Sequence, residues 1–85
     1  MHKLWKESAW AEYVEWQLTD KKILQRINAL IKDIESNGVS KGIGKPEKLR
    51  HIKGWSRRID DKNRLIYDVE ENGFLHIISC KGHYE

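Results

Sequence analysis

The chain has one cysteine, Cys80, among its 85 residues, so no intramolecular disulfide can staple it. That usage fits a reducing cytoplasm. There is no apolar run long enough to span a bilayer, and the N-terminus lacks a signal peptide's apolar stretch. The chain therefore reads as a mature domain that no membrane holds. Its four histidines and one cysteine have no metal-ligand spacing, which argues against a metal site and a metal cofactor. Lys41-Gly42-Ile43-Gly44-Lys45 looks like a phosphate loop at first sight. It lacks the Walker spacing and no convincing helix follows it, so that reading is rejected. Repeats and low-complexity segments are absent.

What is present points to one small domain over residues 1–85. A chain this short buries only about two-thirds of the surface its unfolded form exposes. Four Trp and three Tyr help to build the small core. Net charge is +3. Positive charge favours polyanionic partners, and its distribution is more telling than its size. Residues 41–64 hold nine Lys or Arg against Glu47, Asp60 and Asp61. Glu47 is thus a lone carboxylate inside a basic run.

Lys3 to Trp5 is a short strand candidate. Glu7 to Leu18 reads as a helix, with Trp10, Tyr13, Val14 and Gln17 at helical spacing. Thr19 can cap a second helix, with Asp20 in its positive first turn. Ile23, Ile27, Leu30, Ile31 and Ile34 form the apolar stripe of that helix, and Asn37-Gly38 ends it. Val39 to Pro46 is a loop. Trp55–Ile59, Arg64–Val69 and Leu75–Lys81 then read as strands, with Leu49–His51 as a possible edge strand. Asn72-Gly73 signals a hairpin. The expected fold is α+β: two N-terminal helices packed on a twisted antiparallel sheet of about four to five strands.

A two-residue Asn72-Gly73 turn would pair Leu65 with Cys80 and Tyr67 with Ile78 on a core face, and Arg64 with Lys81 on the other. Alternation then brings His83 to the Arg64 face if the strand continues. Trp55 and Ile59 should point to the core, which puts Arg58 with Arg64 and His83 and turns Arg57 the other way. Cys80 should be buried and inert.

This set has a chemistry. RNA carries its own nucleophile, the 2′-hydroxyl, and its cleavage needs a base, an acid and cations for the phosphorane. Glu47 suits the base and His83 the acid. Arg64 and Arg58 can place charge-assisted donors on phosphate oxygens. Tyr84 offers a ring for stacking an unpaired base. Lys45 and Arg50 flank Glu47 and can grip backbone phosphates. Each residue alone has a plainer reading: Glu47 as a surface ion pair, Arg57, Arg58 and Arg64 as solvated sheet residues, and His83-Tyr84 as a frayed tail. His2, His51 and His76 read as structural or surface groups, and Trp5, Trp10 and Trp16 as core and interface.

Several segments resemble the YoeB-type toxin family of the RelE/ParE superfamily. They include Trp16-Gln17-Leu18-Thr19-Asp20-Lys21, Ile27 through Asp33, and Gly44-Lys45-Pro46-Glu47. Further on come Gly54-Trp55-Ser56-Arg57-Arg58-Ile59, Asn63-Arg64-Leu65-Ile66-Tyr67 and Cys80-Lys81-Gly82-His83-Tyr84. The likeness runs in order along nearly the whole chain. It implies the microbial-RNase-like fold and a metal-independent endoribonuclease that cuts mRNA in the ribosomal A site. By that resemblance Glu47, Arg64, His83 and Tyr84 are catalytic, and Arg50 and Arg58 are the supporting basic residues that bind RNA alongside Lys45. It further implies a YefM-like antitoxin that displaces the terminal His-Tyr, a homodimer, and operator DNA as a partner only within the antitoxin complex. Two positions depart from the pattern. Glu85 follows the His-Tyr and places a further carboxylate beside the site, and Gly82 stands where some relatives carry an aromatic residue. The alternative within the same superfamily is a ParE-like toxin that binds DNA gyrase without cutting RNA. A plain RNA-binding module, in which the basic stretch only grips phosphate, is a third reading.

Overall fold

The apolar stripe does what its period demands. In the computed structural model, which describes residues 1–82, Ile27, Leu30, Ile31 and Ile34 are the buried face of a helix over Lys21–Asn37. In chain order the elements are β1 (Lys3–Trp5), α1 (Glu7–Thr19), α2 (Lys21–Asn37), β2 (Glu47–Lys48), β3 (Trp55–Arg58), β4 (Arg64–Val69) and β5 (Leu75–Ser79). The two helices pack against one five-stranded sheet in the order β1-β5-β4-β3-β2. This is the α+β arrangement that the pattern predicts.

The sheet is antiparallel from β2 to β5, but β1 joins β5 in parallel, so it is mixed. A tight turn forces its two strands to run antiparallel. β1 and β5 share no turn, and the helices between them provide the crossover that parallel pairing needs.

The second helix is capped by Asp20, not by Thr19. The Asp20 carboxylate accepts from the backbone N–H groups of Lys22 and Ile23 at 3.0 and 3.2 Å. A carboxylate both satisfies these orphan donors and complements the positive helix end. Thr19 closes α1 instead, its hydroxyl donating to the Glu15 carbonyl at 3.0 Å. Gly38, at φ 92°, ends α2 as expected.

The edge strand is Glu47–Lys48 rather than 49–51. The Leu49 N–H reaches back to the Gly54 carbonyl at 3.0 Å, so the chain is already turning there. Gly54 sits at φ 141°, and a Cβ on it would lie 3.0 Å from the Tyr67 carbonyl oxygen. Only glycine lets β3 start so close to β4.

The β4–β5 register also differs from expectation. Tyr67 faces Ile77, not Ile78. The hairpin turn takes three residues, closed by the Glu70 N–H on the Phe74 carbonyl at 2.8 Å, with Gly73 at φ 86°. A bulge between Ile66 and Tyr67 then restores the offset, and Ile66 faces Ser79. Continued one step, that register sets Leu65 against Cys80, and both are buried. The core face is therefore Leu65, Tyr67, Ile77 and Cys80, with Ile78 only half-buried. Together with Ile59, Leu75, Ala9 and the α2 stripe these residues make one core. Each fully buried Leu or Ile contributes about 1.5–3 kcal/mol. Among the described residues no helix is long and apolar enough to cross a membrane.

Candidate active site

Alternation along β3 sends two neighbouring arginines to opposite faces. Arg57 goes inward and is fully buried. Its guanidinium carries five N–H donors, and five acceptors meet them. Nε donates to the Tyr67 hydroxyl at 2.9 Å. One terminal nitrogen donates to the Asp33 carboxylate at 2.5 Å and the Ile43 carbonyl at 3.1 Å. The other donates to the carbonyls of Gly38 and Lys41 at 2.8 and 2.6 Å. The Tyr67 hydroxyl in turn donates to the Val39 carbonyl at 2.7 Å. The residue read as a solvated sheet arginine is thus a hub that folds the 38–43 loop around itself. The hydrogen bond from Arg57 holds the Asp33 carboxyl below the usual carboxylate range.

The outward face carries Arg58, Arg64 and Glu47 of the predicted set. Arg58 stands directly opposite Arg64 in the ladder. Like charges so placed repel, and each guanidinium draws in a carboxylate. Arg58 pairs with Asp61, and Arg64 pairs with Glu47 at 3.3 Å. Arg64 is further fixed by its Nε, which donates to the Ser56 hydroxyl at 3.0 Å. Ser56 is itself buried and is the ladder partner of Glu47, so one short stretch of β3 holds both ends of the ion pair. The Arg64 side chain is 16% exposed and that of Glu47 is 68% exposed. A long, half-wet pair of this kind contributes at most about 1 kcal/mol and exchanges readily for another anion.

Lys45 enters this region in a conformation that few residues adopt. Its φ is 51°, and it precedes Pro46, a position that favours extended backbone. The preceding Gly44 carbonyl accepts from the Arg58 N–H at 2.7 Å and anchors the loop to β3. The kink delivers Glu47 into its pairing with Ser56. Arg50 is exposed in the bend after β2.

The end of the described chain is led to the same place. Glu12 accepts from the Cys80 N–H at 2.8 Å, and Trp16 Nε1 donates to the Cys80 carbonyl at 3.0 Å. Lys81 pairs with Glu15 at 2.8 Å. Gly82 then donates its N–H to Asn63 Oδ1 at 2.8 Å, and its carbonyl accepts from the Arg64 N–H at 3.0 Å. His83 and Tyr84 follow in sequence, as does Glu85; all three lie outside the described residues. Burial, with the nearby Glu12 charge, pushes the Cys80 thiol up to about 12, which suits an inert core residue.

The structure thus brings Glu47, Arg64 and Arg58 onto one open sheet face and puts Lys45 two residues before Glu47. Sequence reasoning missed Ser56, Asn63 and Asp33, and it misjudged Arg57. The signal for Arg57 was available: a charged residue assigned by alternation to a core face needs a full set of buried partners. Among the described residues no group of three or more His, Cys, Asp or Glu side chains is placed to hold a metal ion.

Residues 5–84 match the family model for the YoeB-like toxin of bacterial type II toxin–antitoxin systems. The chain is 45% identical over 86 aligned residues to Toxin YoeB of Escherichia coli K12, covering 99% of this chain and 100% of that one. Its fold is similar to the YoeB dimer from Staphylococcus aureus, at TM-score 0.91 and 42% identity over 99% of this chain and 98% of that one. It is also similar to the toxin in the heterotetrameric YoeB–YefM toxin–antitoxin complex from the same species, at TM-score 0.89 and 43% identity, with coverage of 99% and 98%.

Proposed function

The chain belongs to the YoeB-like toxins of bacterial type II toxin–antitoxin systems, and on that premise we propose that it is a metal-independent endoribonuclease that cuts messenger RNA in the ribosomal A site. The observation that carries this reading is the Arg64–Glu47 pair on the open sheet face, with the chain end tied at Gly82 to the Arg64 backbone. A base and a phosphate-binding cation are already side by side. The remaining acid is expected from His83, the next residue after that tie.

In the proposed mechanism a scissile phosphate displaces Glu47 from Arg64. The guanidinium, held by Ser56, donates to a phosphate oxygen, and Arg58 adds a second positive charge across the ladder. The freed Glu47 carboxylate takes the 2′-hydroxyl proton. The 2′-oxygen attacks phosphorus, the bond to the 5′-oxygen breaks, and His83 gives that oxygen a proton. The cations are worth most as charge builds on the phosphorane. A 2′,3′-cyclic phosphate and a free 5′-hydroxyl result. Tyr84 stacks an adjacent base, and Lys45 and Arg50 hold flanking backbone.

The partners follow the relatives. A YoeB of Staphylococcus aureus is solved as a dimer and in a complex with YefM. These support a homodimer and a YefM-like antitoxin for this chain, with operator DNA engaged only through that complex. Leu4, Trp10, Val14 and Leu18 are large exposed apolar side chains of β1 and α1, and we assign the dimer contact to them. The place of action is the cytoplasm, where the ribosomes are.

End mapping on programmed ribosomes tests the reading. Purified protein should cut the message within the A-site codon, leave 2′,3′-cyclic or 3′-phosphate ends, and ignore chelator. His83→Gln, Glu47→Ala and Arg64→Ala should each cut far more slowly while remaining folded. Full activity in all three variants, or inhibition of DNA supercoiling with translation untouched, refutes it.

A further inference from the structure

A cleft of about 340 Å³ is lined by Arg26, Gly44, Lys45, Arg58, Ile59 and Asp60, and of these Arg58 is the ladder partner of Arg64. Three of these are cations, and they come from three separate parts of the chain: α2, the loop before β2, and β3. Bringing three like charges to one opening works against stability, since each repels the others. Arg26 is tethered by a donation to the Arg58 carbonyl at 3.3 Å. Lys45 stands exposed on a left-handed backbone at φ 51°. Arg58 stands opposite Arg64 in the ladder, its guanidinium paired with Asp61.

Two carboxylates answer these charges only in part: Asp61 pairs with Arg58, and Asp60 lines the cleft. One oxygen of Asp60 accepts from the Lys62 N–H, the Asn63 N–H and the Asn63 side-chain amide at 2.9, 2.7 and 3.0 Å. That oxygen is thereby turned toward its own loop. Ile59 and the bare Gly44 supply an apolar wall. Gly44 cannot be replaced cheaply, because a Cβ there would lie 2.7 Å from Leu30 Cδ2 and 3.1 Å from Arg57 Cβ. A small, cationic opening with an apolar wall suits one phosphate and the ribose attached to it.

We propose that this cleft is a second phosphate subsite, which holds the message-backbone phosphate flanking the one that is cut, with Arg26 as its anchor. The inference rests on the endoribonuclease reading above. Arg58 joins the two subsites: residues directly opposite in an antiparallel ladder lie only about 4.5–5.5 Å apart, so it borders both the cleft and the Arg64 position. The message would then run from Arg64 across Arg58 into the cleft. This fixes the polymer's path over the face, which a lone scissile-phosphate site does not.

The test uses the full chain on programmed ribosomes, with wild type, Arg26→Ala and Arg26→Lys, and messages carrying a neutral methylphosphonate at either linkage flanking the cut. Arg26→Ala should raise the toxin concentration for half-maximal cleavage about tenfold while the maximal rate changes little. Its log affinity against log salt should be shallower by about 0.7–0.9. Arg26→Lys should restore part of the loss. One of the two methylphosphonate messages should weaken wild type by a similar factor and leave Arg26→Ala unaffected. If both variants match wild type while Glu47→Ala is inactive, the subsite is wrong and the ribonuclease reading survives. If the Arg26→Ala loss persists in full on both methylphosphonate messages, its phosphate belongs to ribosomal RNA and the assignment to the message is overturned. If wild type cuts nothing on ribosomes, both fall. Unchanged near-ultraviolet circular dichroism confirms that each variant is folded.

Discussion

The two faces of the sheet treat the same side chain in opposite ways. On the closed face Arg57 has no exposure and all five of its donors are met. On the open face its neighbour Arg58 is 46% exposed, and its charge is answered by the exposed side chain of Asp61. A buried cation must be fully matched or it costs several kcal/mol, so the closed face has saturated its charge. The open face has left its charges in loose pairs that another anion can replace. A saturated, buried arginine and an exposed one are separated by one residue of strand, because a strand turns successive side chains to opposite sides.

The largest effect should come from the closed face. Arg57→Ala leaves Asp33 and several loop carbonyls without their donor, and should cost about 3–5 kcal/mol in urea unfolding. Such a loss lowers Tm by more than about 10 °C in a domain of this size. Arg57→Lys should rescue little, since an ammonium offers three donors to five acceptors. Arg58→Ala should change stability by no more than about 0.5 kcal/mol. Equal losses for Arg57→Ala and Arg58→Ala would abolish the distinction between the faces.

The open face should answer in rate instead. Glu47→Ala and His83→Gln are expected to slow ribosomal cleavage about 10²–10⁴-fold, and Arg64→Ala about 10²–10³-fold, with urea midpoints close to wild type. A stability loss in Glu47→Ala comparable to that of Arg57→Ala would mean that Glu47 is a structural group.

Acid sharpens the comparison further. The Asp33 carboxyl is lowered in the fold by the Arg57 hydrogen bond, whereas in the unfolded chain it titrates near the usual value of about 3.9. The folded state thus holds fewer protons in that window. The stabilisation is complete above about pH 4 and fades as pH falls through the lowered folded value. Urea midpoints should therefore drop below pH 4 in wild type. In Asp33→Asn the protein should be weaker at neutral pH and its acid limb flatter. An unchanged acid limb would detach Asp33 from the hub.

The smallest signal is an absence of reaction. Cys80 has its thiol pushed up to about 12 behind Glu12 and α1. Iodoacetamide at pH 8 should label it only after unfolding. Rapid labelling of the native protein would show that the core side opens at the very point where the chain is led toward Arg64.

Much of this was readable beforehand. The α2 stripe, the hairpin, and Arg58 on the Arg64 side all follow from period and alternation, and the structure agrees with each. Glu47 and Arg64 were expected, with His83, to converge on one phosphate; in the structure the first two stand as an ion pair, and His83 lies outside the described residues. Arg50 was grouped with them by its place beside Glu47 and by the family resemblance; in the structure it is exposed in the bend after β2. The β4–β5 register was off by one near the turn because Asn72-Gly73 does not reveal whether the turn has two residues or three. No local signal announces the bulge that corrects it.

The amino-acid order alone determined which residues can form which elements, because hydrophobic period, caps and alternation act within a few residues of one another. It also determined that a carboxylate would sit among cations. Only the tertiary structure decided that Arg57 would be buried to the last donor, that β1 would add in parallel, and that Arg26 would arrive beside Lys45 and Arg58. Those outcomes depend on groups 10 to 72 residues apart meeting in space. Such meetings are settled by the packing of two helices on one sheet, and no short stretch of chain contains them.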